Sequence, residues 1–268
     1  MHEGIITASN LLSPEKIDED TILLTHEKHY WHRLRDQQLS PAEERRTGFK
    51  MSPLLVEREM RIAQGTIETS LTALKHQVGF NVAGGTHHAG TNWGEGFCLL
   101  NDQAIAANYL LNEQLANRIL IIDLDVHQGN GTAEIFSSNP NVFTLSMHGK
   151  NNFPFRKEKS DLDIGLNDGI TDGDYLEILQ ENLRATFERF NPDFAFYLAG
   201  VDVLATDKLG KMNLSMDACK ERDRMVFAAC SQHNTPVQVS MGGGYSPGIR
   251  EIVQAHCNTF KAAIQFYF

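Results

Sequence analysis

The sequence predicts an α/β fold, with a mainly parallel central sheet and helices on both faces. Three observations predict it. Apolar runs of β-type residues recur along the chain, helical periodicities fill most of the intervals between them, and residues foreign to a core cluster just after the runs. In chain order, His26, His29 and His32, spaced by three, read as one partly exposed helix rather than a second metal site. Glu43-Glu44-Arg45-Arg46 and Glu57-Arg58-Glu59 read as a solvated helix face, with Leu54 and Ile62 as core positions. Helices are expected over 53–77, 102–116, 173–189, 216–233 and 247–265, where apolar residues fall three and four apart. Strands are expected over 79–83, 118–126, 142–147, 193–199 and 237–241. Their near-continuous apolar character fits strands covered on both faces, in a sheet that places ligands beyond its carboxyl ends.

A chain of 268 residues with 41% hydrophobic content and no low-complexity divider reads as one domain over 1–268. No basic segment followed by an apolar run opens the chain, and no stretch nears the roughly 20 apolar residues of a membrane helix. A soluble, cytoplasmic protein without a membrane partner is expected. Cys98, Cys219, Cys230 and Cys257 are scattered, which excludes a thiolate zinc knuckle and predicts reduced thiols. Cys98 is expected to act as a small hydrophobe. A formal charge of -10 argues against direct nucleic-acid binding and mildly favours cationic substrates. Oligomeric state is not encoded in any motif.

Four expected strands end in chemistry: Gly84-Gly85-Thr86-His87-His88, Asp123-Leu124-Asp125-Val126-His127, Gly200-Val201-Asp202 and Gly242-Gly243-Gly244-Tyr245. Side chains two apart on a strand share a face, so Asp123, Asp125 and His127 are expected to project together. Asp125, His127 and Asp202 form the best ligand trio, since three protein donors leave positions open for water and substrate. Two carboxylates and an imidazole suit Zn2+ or Fe2+. The bland alternative is that Asp125 and His127 only pair with each other. Adjacent histidines diverge and so suit proton transfer better than ligation, with Asp123 and Asn130 available to fix their tautomers. Tyr245, after flexible glycines, is placed to stabilise a developing oxyanion. A phosphate cradle is the other reading of those glycines, but no Gly-Lys-Ser/Thr follows.

Gly85-Thr86-His87-His88, Gly94-Glu95-Gly96-Phe97-Cys98-Leu99-Leu100-Asn101-Asp102, Asp123-Leu124-Asp125-Val126-His127-Gln128-Gly129-Asn130-Gly131-Thr132 and Gly242-Gly243-Gly244-Tyr245 together resemble the histone deacetylase family, over about residues 80–265. Leu198-Ala199-Gly200-Val201-Asp202 followed by Asp207-Lys208-Leu209-Gly210 resembles its class IV type and bacterial relatives. The resemblance implies an arginase/deacetylase fold and hydrolysis of N-acyl lysine, in proteins or in a small amine, by activated water. It implies Asp125, His127 and Asp202 as zinc ligands, His88 as general base and acid, and His87, supported by Asp123, as an electrostatic partner. Tyr245 matches the carbonyl-polarising tyrosine, and Gly96, Phe97 and Phe153 match the walls of an acyl-lysine tunnel. Asn130 stands where some members have Asp. The resemblance also implies structural K+ held around Asp123, Asp125 and His127 with Ser146 and Met147.

One departure is expected at Met1-His2-Glu3-Gly4-Ile5, where relatives carry a further segment with a first strand and an Arg near the exit channel. Its loss would leave a sheet edge or core unbuttressed. Two other functions compete: a non-catalytic acyl-lysine-binding scaffold, and an arginase-like ureohydrolase, which uses paired metals and more carboxylates than this single Asp-x-His offers.

Overall fold

The computed structural model describes Gly4 and residues 6–268. The expected departure at the N-terminus falls on Met1, His2, Glu3 and Ile5, which lie outside the described residues. The elements run α1 (Glu19–Ile22), α2 (Lys28–Arg35), α3 (Pro41–Thr47), α4 (Pro53–His76), β1 (Val78–Asn81), α5 (Asp102–Asn112), β2 (Ile119–Asp123), α6 (Asn130–Phe136), β3 (Val142–Gly149), β4 (Leu162–Leu166), α7 (Asp172–Phe190), β5 (Phe194–Leu198), α8 (Met216–Gln232), β6 (Val237–Ser240) and α9 (Ile249–Tyr267).

Among the described residues, six strands form one sheet in the order β1-β6-β5-β2-β3-β4, and every pair is parallel. Alternation along the central strands divides the interior in two. Ile119 and Ile121 of β2, with Phe194 and Phe196 of β5, face a core built with α2, α4 and α5. Leu120 and Ile122, with Ala195 and Tyr197, face the core of α7, α8 and α9. This is the two-faced covering that the continuous apolar runs predict.

Local chemistry sets the element ends. In α4, the Ser52 hydroxyl accepts from Leu55 N–H, Pro53 occupies the first turn, and Gln77 closes the helix in the left-handed region. The expected strand 118–126 stops at Asp123 because the next amides turn onto carboxylates: Asp125 N–H donates to Asp123 Oδ1 at 3.1 Å, Val126 N–H to Asp202 Oδ1 at 3.0 Å, and His127 N–H to Asp125 Oδ1 at 3.0 Å. The expected helix 102–116 ends at Asn112, just before Gln114, which has φ 55°. Leu54 is exposed, contrary to expectation, because α4 turns Val56, Ala63 and Ile67 toward the core while Leu54 lies on the other side of its first turn.

The N-terminal histidines also part from expectation. His26 precedes α2 and is buried, with Nδ1 3.0 Å from Gly90 O and Nε2 accepting from Asn101 N–H at 3.0 Å. His29 is exposed, and His32 pairs with Glu19 at 3.0 Å. The four cysteines are free, three of them buried. Among the described residues, no helix is long and apolar enough to cross a membrane.

Candidate active site

The loops after β1, β2, β5 and β6 converge at the carboxyl edge of the sheet, around a cavity of about 450 Å³. His87, His88, Asp125, His127, Asp202 and Tyr245 line it. The loop after β1 is held from α5: Asp102 Oδ1 accepts from Gly85 N–H at 3.0 Å and Thr86 N–H at 2.7 Å, and Asn101 Nδ2 donates to Ala89 O at 3.1 Å. His87 Nδ1 then meets Asp123 Oδ2 at 2.7 Å, and His88 Nδ1 meets Asn130 Oδ1 at 2.7 Å. Both rings are buried and 4.0 Å apart between centroids. Burial opposes charge on His87, but Asp123 outweighs it and holds its pKa up. Burial, reinforced by His87, keeps His88 well below the usual histidine value.

Asp125, His127 and Asp202 offer donor atoms that all lie within 4.8 Å of one another. His127 Nδ1 stands 3.0 Å from Asp125 Oδ1 and 3.2 Å from Asp202 Oδ2. The two carboxylates sit in one buried site: against the cost of burial His127 holds Asp125 low, whereas burial and the Asp125 charge push Asp202 above the usual carboxylate range. Asp202 Oδ2 is buried, and no donor meets it in hydrogen-bond geometry, although the His127 ring stands 3.2 Å away. An orphaned carboxylate oxygen, a like-charge neighbour and an imidazole at this spacing fit a divalent cation with borderline ligand preference. The backbone makes room for it, since a Cβ on Gly243 would stand 2.2 Å from Asp202 Oδ2. Two carbonyls close to Asp125 and Asp202 in the chain, Leu124 O and Gly200 O, accept from the fully buried Arg222 at 3.3 and 2.6 Å.

Phe153 packs edge-on against His88 at 5.0 Å, and Phe97 lies 6.4 Å from the Tyr245 ring. Gly96 has φ 53°, and a Cβ there would stand 2.7 Å from the His88 ring, so glycine is required by both conformation and space. Burial, with Asp125 and Asp202 nearby, pushes the Tyr245 hydroxyl above the ordinary tyrosine value. Cys98 lines the cavity and burial raises its thiol well above the usual range, matching the hydrophobe expected of it. Ser146 pairs in register with Asp123 across β2 and β3, with its Oγ 3.0 Å from His148 Nδ1, and Met147 is fully buried beside it.

Two contributors escaped the sequence reading. Asp207 Oδ2 accepts from Tyr245 N–H at 2.6 Å while its Oδ1 takes Leu209 and Gly210 N–H, so this carboxylate ties the loop after β5 to the tyrosine. Glu95 Oε1 accepts from Asn130 Nδ2 at 2.6 Å. An Asp three residues before Gly210 carries a turn signal, but nothing local in the sequence reveals what Glu95 touches.

Comparison with known proteins agrees with this architecture. Residues 1–260 match the histone deacetylase domain family. An uncharacterized protein of Picosynechococcus sp. is 42% identical over 267 residues, covering 100% of this chain and 89% of its own length. Histone deacetylase 2 of Arabidopsis thaliana is 26% identical over 94% of this chain and 67% of its own. The crystal structure of a histone deacetylase homolog from Aquifex aeolicus superposes with a TM-score of 0.83 at 27% identity, covering 96% of this chain and 74% of that one. The parallel sheet and its helices are thus an arginase/deacetylase α/β fold, and the chain belongs to the histone deacetylase family.

Proposed function

We propose that the protein is a metal-dependent deacylase that hydrolyses the amide between an acyl group and the side-chain amine of lysine, or a small amine. One observation carries this reading: two buried histidines, each held through Nδ1, stand beside a three-donor group on one cavity wall. Asp125, His127 and Asp202 would hold the ion, zinc or ferrous iron, which when bound supplies Lewis acidity to the carbonyl and lowers the pKa of an attacking water. His88, kept neutral by burial, accepts that water's proton and returns it to the leaving amine. His87, whose pKa Asp123 holds up against burial, favours the negative charge that develops nearby. Tyr245 keeps its proton and donates a hydrogen bond to the oxyanion. Gly96, Phe97 and Phe153 wall the path of an aliphatic stem, in a cavity within the roughly 300–1,000 Å³ range of small-ligand sites. The same reading assigns potassium to the backbone around Asp123, Asp125 and His127 with Ser146 and Met147.

The test is a panel of acetyl-lysine peptides, longer acyl-lysine peptides and acetylated polyamines, assayed with zinc and with ferrous iron beside Asp125→Asn. Hydrolysis by the parent protein and none by Asp125→Asn is expected. Stoichiometric metal and ligand binding without hydrolysis of any member would instead identify an acyl-lysine-binding scaffold.

A further inference from the structure

Asn130 joins His88 to Glu95. Its Oδ1 lies 2.7 Å from His88 Nδ1, and its Nδ2 donates to Glu95 Oε1 at 2.6 Å. The donor inventory gives this chain of bonds a direction. An ionised carboxylate only accepts, so Glu95 draws the Asn130 amide NH2 and turns the Asn130 carbonyl toward the ring. A carbonyl also only accepts, so the proton of the neutral ring sits on Nδ1 and Nε2 keeps its lone pair. Asparagine alone has no such preference. Turned by half a rotation it has the same shape, presents NH2 to Nδ1 and moves the ring proton to Nε2. An aspartate at 130 would accept through either oxygen and need no external guide.

Glu95 is itself fixed. The loop carrying it is pinned to α3 by Gly96 N–H on Arg46 O at 3.1 Å and Phe97 N–H on Thr47 O at 2.9 Å, and Cys98 N–H closes it on Glu95 O at 2.9 Å. Asn130 is buried and Glu95 half-buried, so their bond is partly shielded from water. We propose that Glu95 is a positioning residue, which sets the Asn130 amide and through it the Nδ1–H tautomer of His88. The placement of the proton stands on geometry alone; its effect on turnover rests on the deacylase reading, where Nε2 must be free to accept.

The experiment is nitrogen NMR of the full chain carrying 15N-labelled histidine, with the His88 signals assigned by their loss in His88→Gln. The parent protein is expected to show the Nδ1–H tautomer. Glu95→Gln, whose amide satisfies either Asn130 orientation, is expected to give shifts between the two tautomers. Glu95→Lys, which only donates, is expected to give the Nε2–H form. An Nε2–H tautomer in the parent, or an unchanged Nδ1–H tautomer in both variants, overturns the proposal. On an acetyl-lysine peptide, Glu95→Gln is expected to lose roughly 10-fold in kcat with KM nearly unchanged. A tautomer that follows residue 95 in a protein inactive on every acyl substrate would refute the deacylase reading and leave the role of Glu95 intact.

Discussion

Gly243 and Asp202 are in closer contact than any side chain at 243 would allow, for a Cβ there would stand 2.2 Å from Asp202 Oδ2 and 2.9 Å from Asp125 Oδ2. The backbone after β6 therefore closes directly over both carboxylates. Gly243→Ala is expected to displace them and weaken zinc binding by roughly 10–100-fold, read by competition with a chelator. Unchanged affinity would show that the carboxylates do not hold the ion in this arrangement.

Tyr245 is expected to act on chemistry rather than on metal loading. Tyr245→Phe keeps the ring near Phe97 and removes only the hydroxyl. It is expected to lower kcat on an acetyl-lysine peptide by about 100-fold or more while zinc content by elemental analysis stays at the parent value. A rate within threefold of the parent would remove Tyr245 from oxyanion stabilisation.

His26 makes stability depend on pH. Burial pushes it down to about 4, from an ordinary value of 6.5. Between those values the unfolded chain takes up a proton that the folded protein refuses, so stability is complete above pH 6.5 and falls as pH drops toward 4. The loss from this group is about 3 kcal/mol at the acid end. Burial also lowers His148 and His256 to about 4, which deepens the same acid loss. Urea unfolding at neutral pH and at the acid end should show His26→Gln less stable at neutral pH but losing less on acidification. Equal losses in the two proteins would contradict this assignment.

Arg222 and Asp223 form a fully buried pair, with Asp223 Oδ1 2.7 Å from Nη2, and Asp223 also accepts from Tyr197 and Thr259. Arg222→Met removes one charge, strands the other, and leaves Gly200 O without its Arg222 donor. A loss of about 3–5 kcal/mol is expected in denaturant unfolding. Arg222→Met with Asp223→Asn should recover part of it; no recovery would mean that the carbonyl contacts, and not the stranded charge, dominate.

β2 and β5 were legible because each is apolar on both faces, so no alternation was needed to find them. β4 was not: its Leu162 and Ile164 alternate with exposed Asp163 and Gly165 at the sheet edge, a weak pattern five residues long. α6 was hidden because it is only seven residues long and begins at Asn130, between two glycines that disfavour a helix interior. Asp125, His127 and Asp202 could be grouped because each follows an apolar run and the parallel sheet brings such ends together. His26 could not be placed, since its partners Gly90 and Asn101 lie far along the chain. Glu95 and Asp207 escaped for a related reason: one works through another residue's amide, and the other through backbone N–H groups, so its turn spacing to Gly210 does not reveal the bond to Tyr245.

The carboxylates that end β2 also bear on how the site should be dissected. Asp123, Asp125 and Asp202 each already hold the backbone N–H of Asp125, His127 and Val126 respectively. Truncation to alanine at any of them would delete a proposed ligand or its support and unlatch the peptide that carries a neighbour, confounding loss of ion with loss of scaffold. Asparagine retains an acceptor for the amide while discarding the charge. It is therefore the substitution that separates what these residues do for the ion from what they do for the chain.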